Sequence, residues 1–229
     1  MFLGLDTQFM TDIFPQMLKA LWVTVQISFL AVFFGIILGI MLGSVRVIGP
    51  KWAKVPIQWL VNYIRGTPQL VQFLIVYFAL PSIGILLNEF WTGVVALTVI
   101  AAGYEVEIVR AAIESIEEGQ TEAAKSIGMT EAQSLRFILL PQATRRMIPA
   151  LTNELTNVIK ASALLSVIAV NELTKIGNKI IYETFYFFEV LIEVAVLYLI
   201  VISLLAWVSR YLENKVFAYD ISQAVQEVR

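Results

Sequence analysis

The chain has 229 residues, of which 59% are hydrophobic and 15% charged, and its formal charge at pH 7 is −2. With a mean hydropathy of +0.78, this composition exceeds what a soluble domain keeps off its surface, so we predict one all-α membrane domain over residues 1–229. The absence of cysteine and histidine excludes disulfides, thiolate metal sites and the commonest metal ligand. We therefore expect this chain to hold no metal and no cofactor.

Five apolar segments follow one another along the chain, and a membrane-spanning helix needs about 20 apolar residues. The first, between Lys19 and Arg46, carries no charge and is too long for a cleaved signal peptide. The fourth is expected to begin near Pro149, because proline suits the first turn of a helix. The predicted spans cover residues 20–45, 67–86, 90–115, 149–170 and 185–209.

The first two spans contain residues that predict how their backbones pack or break. On the first, Gly35, Gly39 and Gly43 recur at four-residue intervals, which predicts close packing against another helix. At the start of the second, the regular backbone is interrupted, which indicates either a hinge or a plain helix start. The residues of this interruption are Arg65, Gly66, Thr67 and Pro68.

The third span carries Glu105, Glu107 and Arg110 in its second half, where charge is costly and therefore points to function. Glu107 and Arg110 are three residues apart, so they can neutralise each other as an internal ion pair, although Glu107 is also a candidate for substrate binding. Glu105 points elsewhere on the helix. It could face a translocation path and attract a cationic group, or sit at headgroup depth where a carboxylate reaches water.

The loop after the third span, residues 116–146, is polar and reads as two short helices. Thr121 is a predicted cap for a helix that starts at Glu122 and closes at Gly128. Thr130 with Gln133 has the capping-box pattern of a second helix, which Pro141 is expected to terminate. A plain interfacial loop is the alternative interpretation.

The fourth span opens with polar groups on one stripe. Asn153, Asn157 and Lys160 lie four and then three residues apart, with Glu154 beside them. Amides, hydroxyls and a carboxylate can bind both ends of an amino acid zwitterion. The predicted binding group is Asn153, Glu154 and Asn157, with Ser162 and Ser166 deeper in the span. Hydrogen bonding between helices is the alternative, and Lys160 is expected to be a structural or gating residue.

Basic residues in short loops set the predicted orientation. The loops after the first and third spans are rich in lysine and arginine, so both are expected to face the cytoplasm. An odd number of spans then leaves the N-terminus outside and the C-terminus, with Arg210 and Lys215, inside.

Three stretches carry a family resemblance. The pattern E-A-A-x(3)-G-x(9)-I-x-L-P resembles the signature loop of permease subunits of bacterial ABC importers, and its positions here are Glu122, Ala123, Ala124, Gly128, Ile138, Leu140 and Pro141. "RGTPQLVQFLIVYFALP" and "ALTNELTNVIKASALLSVIAVNELT" are similar to segments of the polar amino acid permeases in that group. Lys160 to Ala163, where many members read K-D-T-S, and Glu105 depart from the pattern.

The resemblance implies a membrane subunit of the bacterial cytoplasmic membrane that catalyses no reaction itself. The short helix from Glu122 to Gly128 would dock, as a coupling helix, on a dimer of cytoplasmic ATPase subunits that bind ATP and magnesium. The chain itself has no G-x(4)-G-K-[ST] motif to hold a nucleotide. Two permease subunits, identical or related, would alternate access for a polar amino acid delivered by an outer binding protein. Glu105 and Glu154 favour arginine or lysine as the substrate over glutamine or glutamate.

Two other classes remain open from the residues. An ion-coupled secondary transporter or channel would use the charges of the third and fourth spans and would need no ATPase. An intramembrane enzyme is the other, but no H-E-x-x-H, histidine or cysteine supports it.

Overall fold

The computed structural model describes the backbone of residues 5–227 and the side chains of residues 5–211, so Lys215 lies outside the described side chains. In this part of the chain every regular element is helical, which confirms the all-α prediction. The helices are α1 (Thr7–Ile48), α2 (Lys51–Gly66), α3 (Gln69–Ser82), α4 (Glu89–Glu114), α5 (Glu118–Ser126), α6 (Glu131–Ser134), α7 (Leu140–Ser162), α8 (Leu173–Thr184) and α9 (Phe187–Glu227). A π-helical turn (Leu135–Leu139) joins α6 to α7, and a 3₁₀ turn (Ala163–Ile168) extends α7.

Three of the described helices are long and apolar enough to cross a bilayer: α1, α4 and α9 up to Tyr211. A fourth span results if Glu131–Ile168 and Leu173–Thr184, which meet at 47°, count as one broken segment. The remaining apolar helix, α3, has 14 residues and is therefore about 21 Å long. The count of five spans stays a prediction.

Two predicted boundaries around the polar loop are wrong. Pro141 does not terminate a helix, because it follows the π-helical turn Leu135–Leu139 directly and lies in the first turn of α7. Pro149 does not start one, since α7 begins at Leu140 and runs through it. Buried side chains on both sides of Pro149, among them Met147 and Leu155, hold this helix in place despite the lost hydrogen bond.

The helix α4 is the centre of the packing, and it contacts α1, α2, α3 and α7. Its buried face is rich in small residues, including Ala96, Ala101, Ala102 and Gly103, which allow close helix approach. The glycines of α1 face it: a β-carbon at Gly39 would lie 2.9 Å from Glu105 Cβ, and one at Gly43 would lie 2.9 Å from Val109 Cβ. The predicted packing role of these glycines is confirmed.

The turn between α7 and α8 is fixed by a buried acid. Glu172 is fully buried and caps α8 by accepting the Thr174 and Lys175 N–H groups at 2.9 and 2.6 Å. Its carboxylate also accepts the Tyr198 hydroxyl of α9 at 3.0 Å. This side chain therefore ties the start of α8 to α9.

Candidate functional site

Two cavities lie side by side along α4 and α7. The Arg65 cavity, of about 500 Å³, is lined by Arg65, Tyr104, Glu107, Ile108, Ala111, Ala112, Ser115, Arg146, Ala150 and Glu154. The Lys160 cavity, of about 460 Å³, is lined by Gln69, Tyr104, Glu154, Asn157, Lys160, Ala161 and Leu164. Tyr104 and Glu154 line both, so these two side chains stand at the boundary between the cavities.

The Arg65 cavity carries both signs of charge. The Arg65 guanidinium carbon lies 5.7 Å from the centre of the Tyr104 ring, within range of a cation–π interaction. Arg146 donates to the Ser115 carbonyl and, at 3.1 Å, to the Ser115 hydroxyl, which joins α7 to the end of α4. Two guanidinium groups and two carboxylates, Glu107 and Glu154, therefore line one space.

The Lys160 cavity holds most of the predicted polar stripe. Asn157 donates to Glu154 at 3.4 Å, and Glu154 is buried with 6% of its surface exposed. Asn153 is exposed on the same stripe but lines neither cavity. The structure thus brings together Glu154, Asn157 and Lys160, and it adds Gln69 and Tyr104, which the sequence patterns did not single out.

Two further candidates lie away from these cavities. Ser162 is fully buried and donates to the Ile159 carbonyl at 2.7 Å. Ser166 lines a separate cavity of about 430 Å³ beside α8, together with Asn171 and Lys175. The serines therefore do not share the space around Glu154.

The acids of α4 have different surroundings, as their spacing indicated. Glu105 is fully buried against α1, and among the described residues neither of its carboxylate oxygens has a hydrogen-bond partner. Glu107 pairs with Arg110, which confirms the predicted ion pair, and Arg110 also pairs with Glu114. Arg46 of α1 is an additional partner of Glu107 that sequence spacing within one helix could not reveal.

The arginine of α1 extends this charge cluster to a third helix. Its guanidinium also donates to Gln58 of α2, and Gln58 donates in turn to Asn62 at 2.6 Å. Glu107, with 23% of its side chain exposed, thus neutralises two arginines where α1, α2 and α4 meet.

The predicted break after Arg65 is present. Gly66 ends α2, and Pro68 precedes the first turn of α3. The buried Gln72 amide donates to the Ile64 carbonyl at 2.7 Å and to the Thr67 carbonyl at 3.0 Å, so it holds the two helices at a fixed junction. A hinge role for this junction stays a prediction.

The polar loop forms α5, but its start differs from the prediction. The helix begins at Glu118, so Thr121 lies inside it and is not its cap, because the preceding Ser115-Ile116-Glu117 segment already turns the chain out of α4. Gly128 closes the helix as predicted, with φ +78° and its N–H donating to the Lys125 carbonyl at 3.0 Å. The capping box of Thr130 and Gln133 is also confirmed.

One face of α5 is free. Ala124 is buried against the rest of the chain, whereas Glu122 and Ala123 are exposed. Ile127, beside Gly128, has 77% of its surface exposed, which is unusual for so large an apolar side chain. Of the other signature positions, Ile138 and Leu140 pack on a buried cluster around Leu139 and Met147, and Pro141 is exposed.

Comparisons with known proteins agree along nearly the whole chain. Residues 35–218 match the family model of the binding-protein-dependent transport system inner membrane component. The arginine transport system permease protein ArtQ of Bacillus subtilis (strain 168) is 33% identical over 211 residues, 90% of this chain and 94% of that protein. The glutamine transport system permease protein GlnP of Escherichia coli (strain K12) is 35% identical over 203 residues, 88% of this chain and 93% of that protein.

Solved structures show the same fold. A chain from an amino acid ABC transporter with histidines superposes with a TM-score of 0.84 at 33% identity, covering 93% of this chain and 100% of that one. An inward-facing MetNI methionine ABC transporter gives a TM-score of 0.77 at 25% identity, covering 90% and 98%. The chain belongs to the family of binding-protein-dependent transport system inner membrane components, and it is a permease subunit of an amino acid ABC importer whose ATPase is a separate subunit.

Proposed function

We propose that this subunit moves a basic amino acid, such as arginine or lysine, through the two cavities that meet at Tyr104 and Glu154. The single observation that carries the proposal is the position of Glu154, a buried carboxylate on the wall of both cavities. A buried acid in a membrane segment is costly unless it meets a cation, and a basic substrate supplies one. That an arginine permease, ArtQ, is among the relatives supports this choice.

The remaining lining groups suit the other end of the substrate. Arg65 and Arg146 can bind the α-carboxylate, and guanidinium groups do so with paired hydrogen bonds. Asn157 can donate to or accept from the substrate beside Glu154. Glu107 is a weaker candidate for a substrate cation, because Arg46 and Arg110 already neutralise it.

Coupling to ATP hydrolysis is assigned to the free face of α5. An exposed Ala123 offers a surface that another protein can approach closely, and exposed Ile127 offers apolar area to bury. The left-handed Gly128 sets the angle at which the helix leaves this surface. The partner would be a dimer of ATPase subunits, which bind the ATP and magnesium, while this chain binds neither.

The complete transporter would contain two permease subunits, five spans in each, an ATPase dimer and an outer binding protein. Large apolar side chains on α2 and α3 support a membrane or subunit partner there, since Trp52, Trp59 and Phe78 are 80%, 72% and 67% exposed. We assign the N-terminus to the outer side and the α5 loop to the cytoplasm, from the basic residues of the loops.

The test is ATP hydrolysis by this permease reconstituted with its neighbouring ATPase and cognate binding protein. Arginine, lysine, glutamine, glutamate and cystine are compared. We expect arginine or lysine to stimulate hydrolysis and the acidic amino acid not to. Stimulation by glutamate alone would refute the assigned substrate but keep the coupling, whereas stimulation by none of the five would contradict both.

A further inference from the structure

A groove between the first turns of α1 and the N-terminal part of α9 is not used by the proposed transport path. It has a volume of about 340 Å³ and is lined by Met10, Thr11, Phe14, Glu193, Val196, Leu197 and Ile200. Six of these seven residues are apolar or carry a methyl group, so the groove suits a hydrocarbon chain. Glu193 is the exception.

Glu193 is a buried acid without a partner. Its residue surface is 6% exposed, and within the described part of the chain neither carboxylate oxygen makes a hydrogen bond. An unpaired carboxylate in such surroundings is destabilising, because it has lost its hydration and gained no partner. A ligand that brings a donor to this position would remove much of that cost.

The two helices hold this end of the groove in a fixed shape. Their first turns are in contact, because Phe9 and Tyr186 stack with ring centres 4.2 Å apart and the Asp6 N–H donates to Glu189 at 3.3 Å. Further along the two helices, Met17 and Leu197 belong to one buried cluster. The groove is therefore built between two contacts and is not a gap at a fraying helix end.

The position of Glu193 along α9 corresponds to the edge of the hydrocarbon layer. No charged residue lies between Glu193 and Arg210, a distance of about 25 Å along the helix, close to the thickness of a bilayer core. On α1 the charge-free segment likewise begins after Lys19. Glu193 thus lies about 9 Å inside the start of the span Phe187–Tyr211, at the end of its charge-free part, and Val196 and Ile200 follow it into the apolar layer.

The charges at this end are mostly negative. Asp6, Asp12 and Glu189 lie on the same first turns of α1 and α9 as the groove, and the first base along α1 is Lys19. A cationic head is therefore favoured over an anionic one. Met10 lines the groove, and its flexible side chain can shift to let a small head reach the acid.

We propose that this groove binds one phospholipid with a primary ammonium headgroup, which Glu193 anchors while an acyl chain lies along Val196, Leu197 and Ile200. A primary ammonium brings both charge and N–H donors to the carboxylate. A trimethylated head brings charge without donors, and a glycerol head brings donors without charge. The site therefore discriminates among headgroups.

The experiment is native mass spectrometry of the complex of this chain with its ATPase, purified and equilibrated with equal amounts of phosphatidylethanolamine, phosphatidylcholine and phosphatidylglycerol. We expect phosphatidylethanolamine to be enriched on the wild-type complex. Glu193→Gln should lower that enrichment about tenfold, the effect of losing one charge-assisted bond. The matched control is Glu183→Gln, which changes an exposed acid on α8 and should leave the enrichment as it was.

A second variant tests the groove independently of the acid. Val196→Trp fills the space beside Glu193 and keeps the carboxylate, and it should also remove the enriched lipid. Equal binding of the three lipids by the wild-type complex would overturn the proposal. So would a Glu193→Gln or Val196→Trp complex that retains the wild-type enrichment.

Discussion

Glu105 of α4 lies so close to Gly35 of α1 that a β-carbon at residue 35 would collide with its carboxylate oxygen Oε2. The same β-carbon would lie 2.9 Å from Glu105 Cδ and 3.1 Å from Ala101 Cβ. The space that glycine leaves on α1 is therefore filled by an acid from α4. This relationship explains how the Glu105 side chain fits between two closely packed helices.

We expect Gly35→Ala to destabilise the subunit by about 2 kcal/mol, because the added methyl group must push α1 away from α4. The loss should be smaller in a Glu105→Ala background, since the colliding carboxylate is absent there. The midpoint of thermal unfolding in detergent measures both. Gly66→Ala is the control, because a β-carbon at Gly66 meets nothing within 4 Å. Equal losses in the two backgrounds would contradict the packing.

Gly128→Asp should abolish substrate-stimulated ATP hydrolysis while the permease still inserts and folds. A β-carbon there meets no atom within 4 Å, so the folding cost is limited to the strained φ of +78°, about 1 kcal/mol. Gly84→Asp is a closely matched control, with φ +84° and equally open surroundings in the loop between α3 and α4. Normal hydrolysis in the Gly128 variant would remove the docking role from α5.

Glu154→Gln should weaken binding of a basic substrate about tenfold or more and spare assembly, because it removes the charge but keeps the shape on the wall of both cavities. Binding of labelled arginine to the purified complex measures the effect. Unchanged affinity would assign Glu154 to structure alone.

Asn157→Ala should also lower substrate affinity, whereas Asn153→Ala should not. Both side chains are exposed on α7 one turn apart, but only Asn157 lines the Lys160 cavity. The same binding measurement compares them directly. A larger effect at Asn153 would mean that the substrate binds beside Asn153, outside the Lys160 cavity.

Glu107→Gln should cost about 3 kcal/mol of unfolding free energy, because Arg46 and Arg110 would lose their shared counter-charge in a largely buried position. The exposed pair of Lys179 and Glu183, 3.9 Å apart, provides the comparison. Glu183→Gln should change stability by less than about 0.5 kcal/mol. Equal unfolding midpoints for the two variants would show that the α1–α2–α4 charge cluster contributes little.

The features predictable from sequence were those set by spacings of three or four residues within one helix. All three of these are confirmed: the glycines at four-residue spacing, the i, i+3 pair of Glu107 and Arg110, and the capping box at Thr130. Contacts between distant segments were not predictable in this way. Arg46 meets Glu107 across 61 positions, and no local pattern relates them.

The same limit affected the site and the prolines. The polar stripe of α7 could be drawn from sequence, but which of its members faces a cavity depends on where Tyr104 and Gln69 lie. Pro141 and Pro149 were expected at boundaries because local propensity disfavours proline inside helices. Packing around Met147 outweighed that preference and kept the helix continuous.

Because the helix is continuous through both prolines, the segment from Glu131 to Lys160 can transmit a tilt from one end to the other as a rigid rod. Helical turns of α, π and α type follow one another without a loop, over a length of about 40 Å. If the end beside Gly128 is held on a moving partner, a tilt of about 5° displaces the Lys160 end by roughly 3.5 Å. A displacement of that size is comparable to the length of a hydrogen bond, so a small stroke at α5 is enough to make or break the contacts that hold a substrate at Asn157.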